Sequence, residues 1–249
     1  WLFVFLGTLI TSTSLLAECV ITMTTSKAVG EEIELIIKAN GNVTIEGVKE
    51  TPQLGWKRYT LSNQTVTIRG DVTKLSCSSW SQLTSLDVSG CTALTELYCG
   101  GNQLSSLDVS KNIALTKLSC YNNQLTSLAL SHNSKLWLLF CYYNQIKGAE
   151  MTKLVNSLPK KNGEERANFY VVVKDSIEGN VCLKSDVAIL AKKGWTPLGC
   201  NRSTEACEYY GGRETDSFGV SLTHEGEGLL DATGADDLKA VPYGTKLTI

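Results

Sequence analysis

The stretch Leu94–Leu104, LTELYCGGNQL, returns as LTKLSCYNNQL from Leu115 and as LWLLFCYYNQI from Leu136, so that Cys99, Cys120 and Cys141 stand 21 residues apart. Asn102, Asn123 and Asn144 keep the same interval, as do Leu104, Leu125 and Ile146. A fixed period in the twenties constrains the chain to a solenoid, because a single coil cannot bury its apolar face alone and neighbouring coils must stack. Leu97-x-Cys99 has the alternation of a short strand with both side chains inward, and Leu94 and Leu104 close the coil over the same core. Stacked coils make a parallel sheet. An earlier coil, VTKLSCSSWSQL from Val72, fits with one residue inserted. The intervening halves, LTSLDVSGC from Leu83, LSSLDVSKN from Leu104 and LTSLALSHN from Leu125, predict a second, weaker strand on the back of each coil.

The cysteine slot calls for a small apolar side chain that tolerates close stacking. Neighbouring strands sit roughly 4.8 Å apart, wider than the ~3.8 Å mean separation of bridged Cβ atoms. Cys77, Cys99, Cys120 and Cys141 are therefore expected as buried free thiols, and a straight column cannot surround a zinc ion tetrahedrally. Asn102, Asn123 and Asn144 follow each strand where the chain turns, and an amide that both donates and accepts suits a structural ladder there. Cys91 stands where Asn112 and Asn133 stand in later coils, so that slot reads as less demanding.

The pattern L-x-x-L-x-C-x-x-N-x-L resembles the leucine-rich-repeat signature with cysteine in place of one leucine. The repeats resemble those of bacterial leucine-rich-repeat surface proteins, and the cysteine-bearing coils are similar to a subset of the internalins. The resemblance implies an α/β to mostly β fold: a leucine-rich-repeat solenoid with a parallel sheet, an N-terminal β cap and a C-terminal α/β cap, secreted or at the cell surface. The tail from Cys200 is similar to the opening of the small β repeats found beside such solenoids.

The flanks divide accordingly. Residues 1–17, WLFVFLGTLITSTSLLA, read as the apolar part of a signal peptide, and no integral span is expected in the mature chain. Cys19 just beyond it is a possible lipid acceptor, although Glu18 stands where lipoprotein signals place a small residue. Residues 18–70 alternate apolar and polar positions as half-buried strands do, a β domain capping the first coil; residues 71–148 hold the repeats. In residues 149–199, Met151, Leu154, Val155 and Leu158 have helical spacing before Pro159. NFYVVV reads as a strand, Asp186 to Lys193 as a helix with Ser185 as N-cap, and WTPL as a further strand. Residues 200–249 read as the start of a truncated β repeat domain with a hairpin turning at Glu225 to Gly228, and Cys200 and Cys207 are close enough to suggest a local bridge.

A net charge of −2 over 249 residues, without a basic patch, argues against nucleic acid. His132 and His224 have no partners in the pattern, the acidic pairs Glu31/Glu32, Glu164/Glu165 and Asp236/Asp237 lie in loop-like contexts, and the glycines of EYYGGRE lack phosphate-loop spacing. No enzyme, metal site or cofactor is expected. The expected function is recognition or adhesion outside the cell, with a protein or glycan bound on the strand face. Its outward slots become more aromatic along the coils, and Tyr98, Tyr121, Phe140, Tyr142 and Tyr143 are the candidate binding residues. The alternative for the same patch is a seam in which Leu138 and Phe140 are covered by the C-terminal region. The alternative for the whole chain is a spacer displaying another module.

Overall fold

The computed structural model describes residues 19–78, 81–162, 167–174, 177–201, 203–204 and 206–214. The signal segment, the tail hairpin and His224 lie outside them, as do Glu164/Glu165 and Asp236/Asp237. The chain opens with β1 (Val20–Thr25), β2 (Glu32–Ala39), β3 (Thr44–Glu46), β4 (Gly55–Thr60) and β5 (Thr65–Arg69). Alternation places Ile21 and Met23 of β1, Ile33, Leu35 and Ile37 of β2, and Val66 and Ile68 of β5 in one buried cluster.

This region does more than sit on the end of the first coil. That coil contributes β6 (Val72–Ser76) and β7 (Leu83–Asp87). β2 pairs antiparallel with β6, Ile37 opposite Leu75, and β1 pairs antiparallel with β7, Met23 opposite Leu86. Front and back of the coil are thus each continued by a strand of the preceding region. A Cys19–Cys91 disulfide, 72 residues apart in sequence, adds a covalent tie. It corrects two expectations. Cys19, with its sulfur bonded to Cys91, is no lipid acceptor, and the Cys91 slot is not a relaxed one. Asn112, completely buried there, donates to the carbonyls of Val88 and Cys91 at 2.8 Å each, and Asn133 to those of Val109 and Asn112 at 3.0 Å each. Cysteine replaces asparagine at the first of these positions because a bridge is made there.

The repeats supply β8 (Glu96–Tyr98), β9 (Lys117–Ser119) and β10 (Leu138–Phe140). They stack parallel and in register after β6, with Leu75, Leu97, Leu118 and Leu139 at one buried level. Cys77, Cys99, Cys120 and Cys141 occupy the next inward slot, completely buried and unbridged. Among the described residues, the back strand expected in every coil forms only as β7. The reason is its partner: β7 has β1 beside it, whereas the later back halves are tied coil to coil by Asn112 and Asn133.

Beyond the coils come α1 (Ala149–Ser157), β11 (Ala167–Val173), α2 (Lys184–Lys192), β12 (Trp195–Cys200) and β13 (Cys207–Tyr209). β10, β11 and β12 are parallel neighbours and β13 returns antiparallel, closed by a Cys200–Cys207 disulfide. One sheet therefore runs through the chain in the order β13-β12-β11-β10-β9-β8-β6-β2-β4. α1 buries Met151, Leu154 and Val155. Ser185 is not the N-cap of α2. The helix starts one residue before it, with Leu183 as N-cap, because Asp186 reaches back to accept the Leu183 N–H at 3.0 Å while its other oxygen accepts the Thr152 hydroxyl of α1 at 2.7 Å.

Candidate functional site

The strand face rests on the asparagine ladder behind it. Asn102 Nδ2 donates to the carbonyls of Cys77 and Cys99, both at 3.0 Å, and its Oδ1 accepts the Leu83 N–H at 2.9 Å. Asn123 repeats this with Cys99, Cys120 and Leu104, and Asn144 with Cys120, Cys141 and Leu125, all between 2.8 and 3.1 Å. A further rung, absent from the sequence reading, is Asn180, which donates to Cys141 and Val171 and accepts from Ile146. Burial pushes the Cys99 and Cys182 thiols up to about 12, and those of Cys77, Cys120 and Cys141 well above their ordinary value.

The outward slots divide by chemistry. Over β6, β8 and β9, Glu96 lies between Lys74 at 2.9 Å and Lys117 at 3.0 Å and accepts the Tyr98 hydroxyl at 3.0 Å. Burial works against its charge, but hydrogen bonds from Lys74, Lys117 and Tyr98 outweigh it and hold the carboxyl at about 2. Tyr98 is pushed up to about 12 by burial and by the Glu96 carboxylate. Lys74 lies 4.7 Å from the centre of the Tyr98 ring.

The other rings gather further along. Tyr121 and Tyr142 stack with centroids 5.0 Å apart and planes 19° apart, and Tyr143 meets Tyr142 edge-on at 5.6 Å and 69°. Phe140 stacks on Tyr170 of β11 at 4.2 Å and 14°. Tyr170, a residue the periodicity did not single out, lies beside Phe140 on the next strand. Phe140, Leu138, Tyr142 and Tyr143 all remain half-buried. Tyr98 stands apart from this group, with the buried Ser119 in register between it and Phe140. Gly100 is buried, because the Tyr121 ring lies over it: a Cβ there would fall 2.4 Å from the ring. The glycine is what lets the Tyr121–Tyr142 stack lie flat on the sheet.

The turns after Cys99, Cys120 and Cys141 carry a left-handed residue in the same slot, Gly101 (φ 68), Asn122 (φ 49) and Tyr143 (φ 55). Glycine and asparagine adopt this readily, while tyrosine does so at a cost of about 1–2 kcal/mol. Glu178 stabilises it. In the earlier coils, the N–H groups of Gly101 and Asn122 donate to the Tyr121 and Tyr142 carbonyls of the following coil, at 2.8 and 2.9 Å. The Tyr143 N–H donates instead to the Glu178 carboxylate at 2.8 and 2.9 Å, and that carboxylate also accepts the N–H groups of Val173 and Asn180 at 3.0 and 2.9 Å. A side chain thus takes the place of the next rung's carbonyl. Burial raises Glu178, against the pull of the backbone N–H groups of Asn180, Tyr143 and Val173.

The back of the coils is polar and exposed. Asp87 accepts the Ser89 N–H at 2.9 Å and Asp108 that of Ser110 at 2.8 Å, so both carboxylates serve their own turns. Among the described residues no group of three or more His, Cys, Asp or Glu side chains is placed to hold a metal ion, and no helix is long and apolar enough to cross a membrane.

No family model matches the chain, and no curated protein sequence matches it. Among solved structures it is similar to one described as the functional domain of InlJ from Listeria monocytogenes, which includes a cysteine ladder, at 32% identity over 48% of this chain and 23% of that one, with a TM-score of 0.36. It is also similar to an internalin, InlF, from Listeria monocytogenes strain 4b F2365, at 20% identity over 51% of this chain and 34% of that one, with a TM-score of 0.33. The similarity to these Listeria proteins extends over about half of the chain and about a quarter to a third of theirs.

Proposed function

We propose that the chain is an extracytoplasmic recognition module, a leucine-rich-repeat solenoid (71–148) between an N-terminal β cap (18–70) and a C-terminal α/β cap (149–199). Its strand face binds a protein or glycan through Tyr121, Phe140, Tyr142 and Tyr143, with Tyr98 on the charged flank. The observation that carries this reading is the stack of half-buried aromatic rings on a sheet whose repeat turns are tied down by Asn102, Asn123, Asn144 and Asn180. Large rigid side chains held in place lose little freedom on binding and bury much area. Two disulfides suit an oxidising compartment outside the cytoplasm.

The test is to screen the oxidised protein on arrays of glycans and of extracellular proteins beside a Tyr142→Ala, Tyr143→Ala double variant. Binding that the double variant loses supports the face. Binding that ignores it removes the face, and silence on both arrays favours the spacer.

A further inference from the structure

We propose that the recognition surface extends beyond the repeats as one row across all nine strands, and that its ligand is an extended polypeptide segment, acidic toward one end and apolar toward the other. This rests on the strand-face reading above. The register carries the first part. Tyr98 is level with Ser76 of β6, Ser76 with Ile36 of β2, and Ile36 with Trp56 of the edge strand β4. In the other direction Tyr170 is level with Leu198 of β12, and Leu198 with Tyr209 of β13. The inward neighbours Leu75, Ile37 and Phe169 are buried, so alternation turns this level outward, with Ser119 of β9 the one member covered by its neighbours. Its two ends are open, with Trp56 57% and Tyr209 59% exposed. Nine strands give eight intervals of about 4.8 Å, about 38 Å in all, the length of roughly twelve extended residues at about 3.3 Å each.

Charge and ring geometry choose the occupant. Beside the row, Lys38, Lys74, Glu96 and Lys117 are level with one another, three cations to one carboxylate, while the same level continues as Leu138, Asn168 and Thr196 without charge. An occupant lying along the row therefore meets a positive flank over β2 to β9 and an apolar, aromatic floor over β10 to β13. A sugar stacks on the flat face of a ring. Here Lys74 lies over Tyr98, Arg58 lies 5.9 Å from the centre of Trp56, Tyr142 covers Tyr121 and Tyr170 covers Phe140, so each of these rings has a face already taken. Ring edges and hydroxyls suit peptide groups and apolar side chains better than pyranose faces.

The test is to pan a phage-displayed random dodecapeptide library, and in parallel a glycan array, against the oxidised protein and its Trp56→Ala, Tyr209→Ala, Lys38→Glu and Tyr142→Ala variants, each with an unchanged melting midpoint. The expected result is enrichment of peptides with Asp or Glu near one end and apolar residues near the other. A synthetic copy should bind about tenfold more weakly to Trp56→Ala and to Lys38→Glu as well as to Tyr142→Ala. Peptides weakened by Tyr142→Ala but by no variant outside the repeats would overturn the extended row and leave the strand-face reading standing. Peptides indifferent to every variant would overturn both. Glycan binding without peptide enrichment, failure of any peptide to enrich, or a concentration-dependent dimer abolished by Trp56→Ala would each overturn the polypeptide assignment.

Discussion

Replacing Asn123 with alanine removes its hydrogen bonds to the carbonyls of Cys99, Cys120 and Tyr121, at 3.0, 3.1 and 3.2 Å, and its bond from the Leu104 N–H at 3.0 Å. The ladder limits the damage, because each of those carbonyls has a second donor: Asn102 for Cys99 at 3.0 Å, Asn144 for Cys120 at 3.0 Å and the Gly101 N–H for Tyr121 at 2.8 Å. Only the Leu104 N–H is orphaned, at a cost of about 1–3 kcal/mol. Asn102 is different. The first coil has no asparagine of its own, and among the described residues Asn102 is the partner of both the Leu83 N–H and the Cys77 carbonyl, with a longer bond of 3.4 Å to the Gly100 carbonyl, so Asn102→Ala should cost more, about 2–6 kcal/mol for the first two groups. Urea denaturation followed by circular dichroism gives both values, provided the slope is unchanged, and hydrogen exchange should quicken at Leu104 in one variant and at Leu83 in the other. An unchanged midpoint for Asn123→Ala, or a cost equal to that of Asn102→Ala, would refute this sharing of carbonyls.

The Cys19–Cys91 bridge closes a 72-residue separation, worth about 4 kcal/mol as loop entropy and typically about 2–4; a Cys19→Ser, Cys91→Ser variant should lose that much in the same denaturation assay. With both disulfides intact, a thiol reagent should modify none of Cys77, Cys99, Cys120, Cys141 and Cys182, all buried with raised pKa, and mass spectrometry of the native protein checks this. Glu96 is depressed from 4.5 to about 2 on folding, so the stability it contributes is complete above pH 4.5 and is lost as pH falls through 2. Melting curves should show Glu96→Gln lacking that part of the acid dependence. Gly100→Ala places a Cβ 2.4 Å from the Tyr121 ring and should displace the Tyr121–Tyr142 stack, read as a change in near-ultraviolet circular dichroism, and weaken any ligand bound there.

The 21-residue phase of Leu97, Leu118 and Leu139, with the cysteine and asparagine slots locked to it, is legible because every coil solves the same burial problem with the same local spacing. So is α1, whose Met151, Leu154 and Val155 lie on one side of a helix wherever it docks. The rest was decided by contacts that leave no spacing in the chain. Cys91 finds Cys19 across 72 residues. In the coils the ladder amide is three residues past its carbonyl, Asn144 to Cys141, but after β11 it is nine past, Asn180 to Val171, and the loop between brings in Glu178. That insertion breaks the period while preserving the hydrogen bond. The back strand appears only where β1 arrives to pair with it, and α2 begins before Ser185 because Asp186 is held by Thr152 of another helix. A ring from the next coil lies over Gly100, and Trp56 becomes level with Tyr98 only once β2 has docked on β6. Periodicity reports what each coil needs for its own core, whereas the reach of the proposed binding face depends on which strands become neighbours, and that is settled only when the sheet closes up.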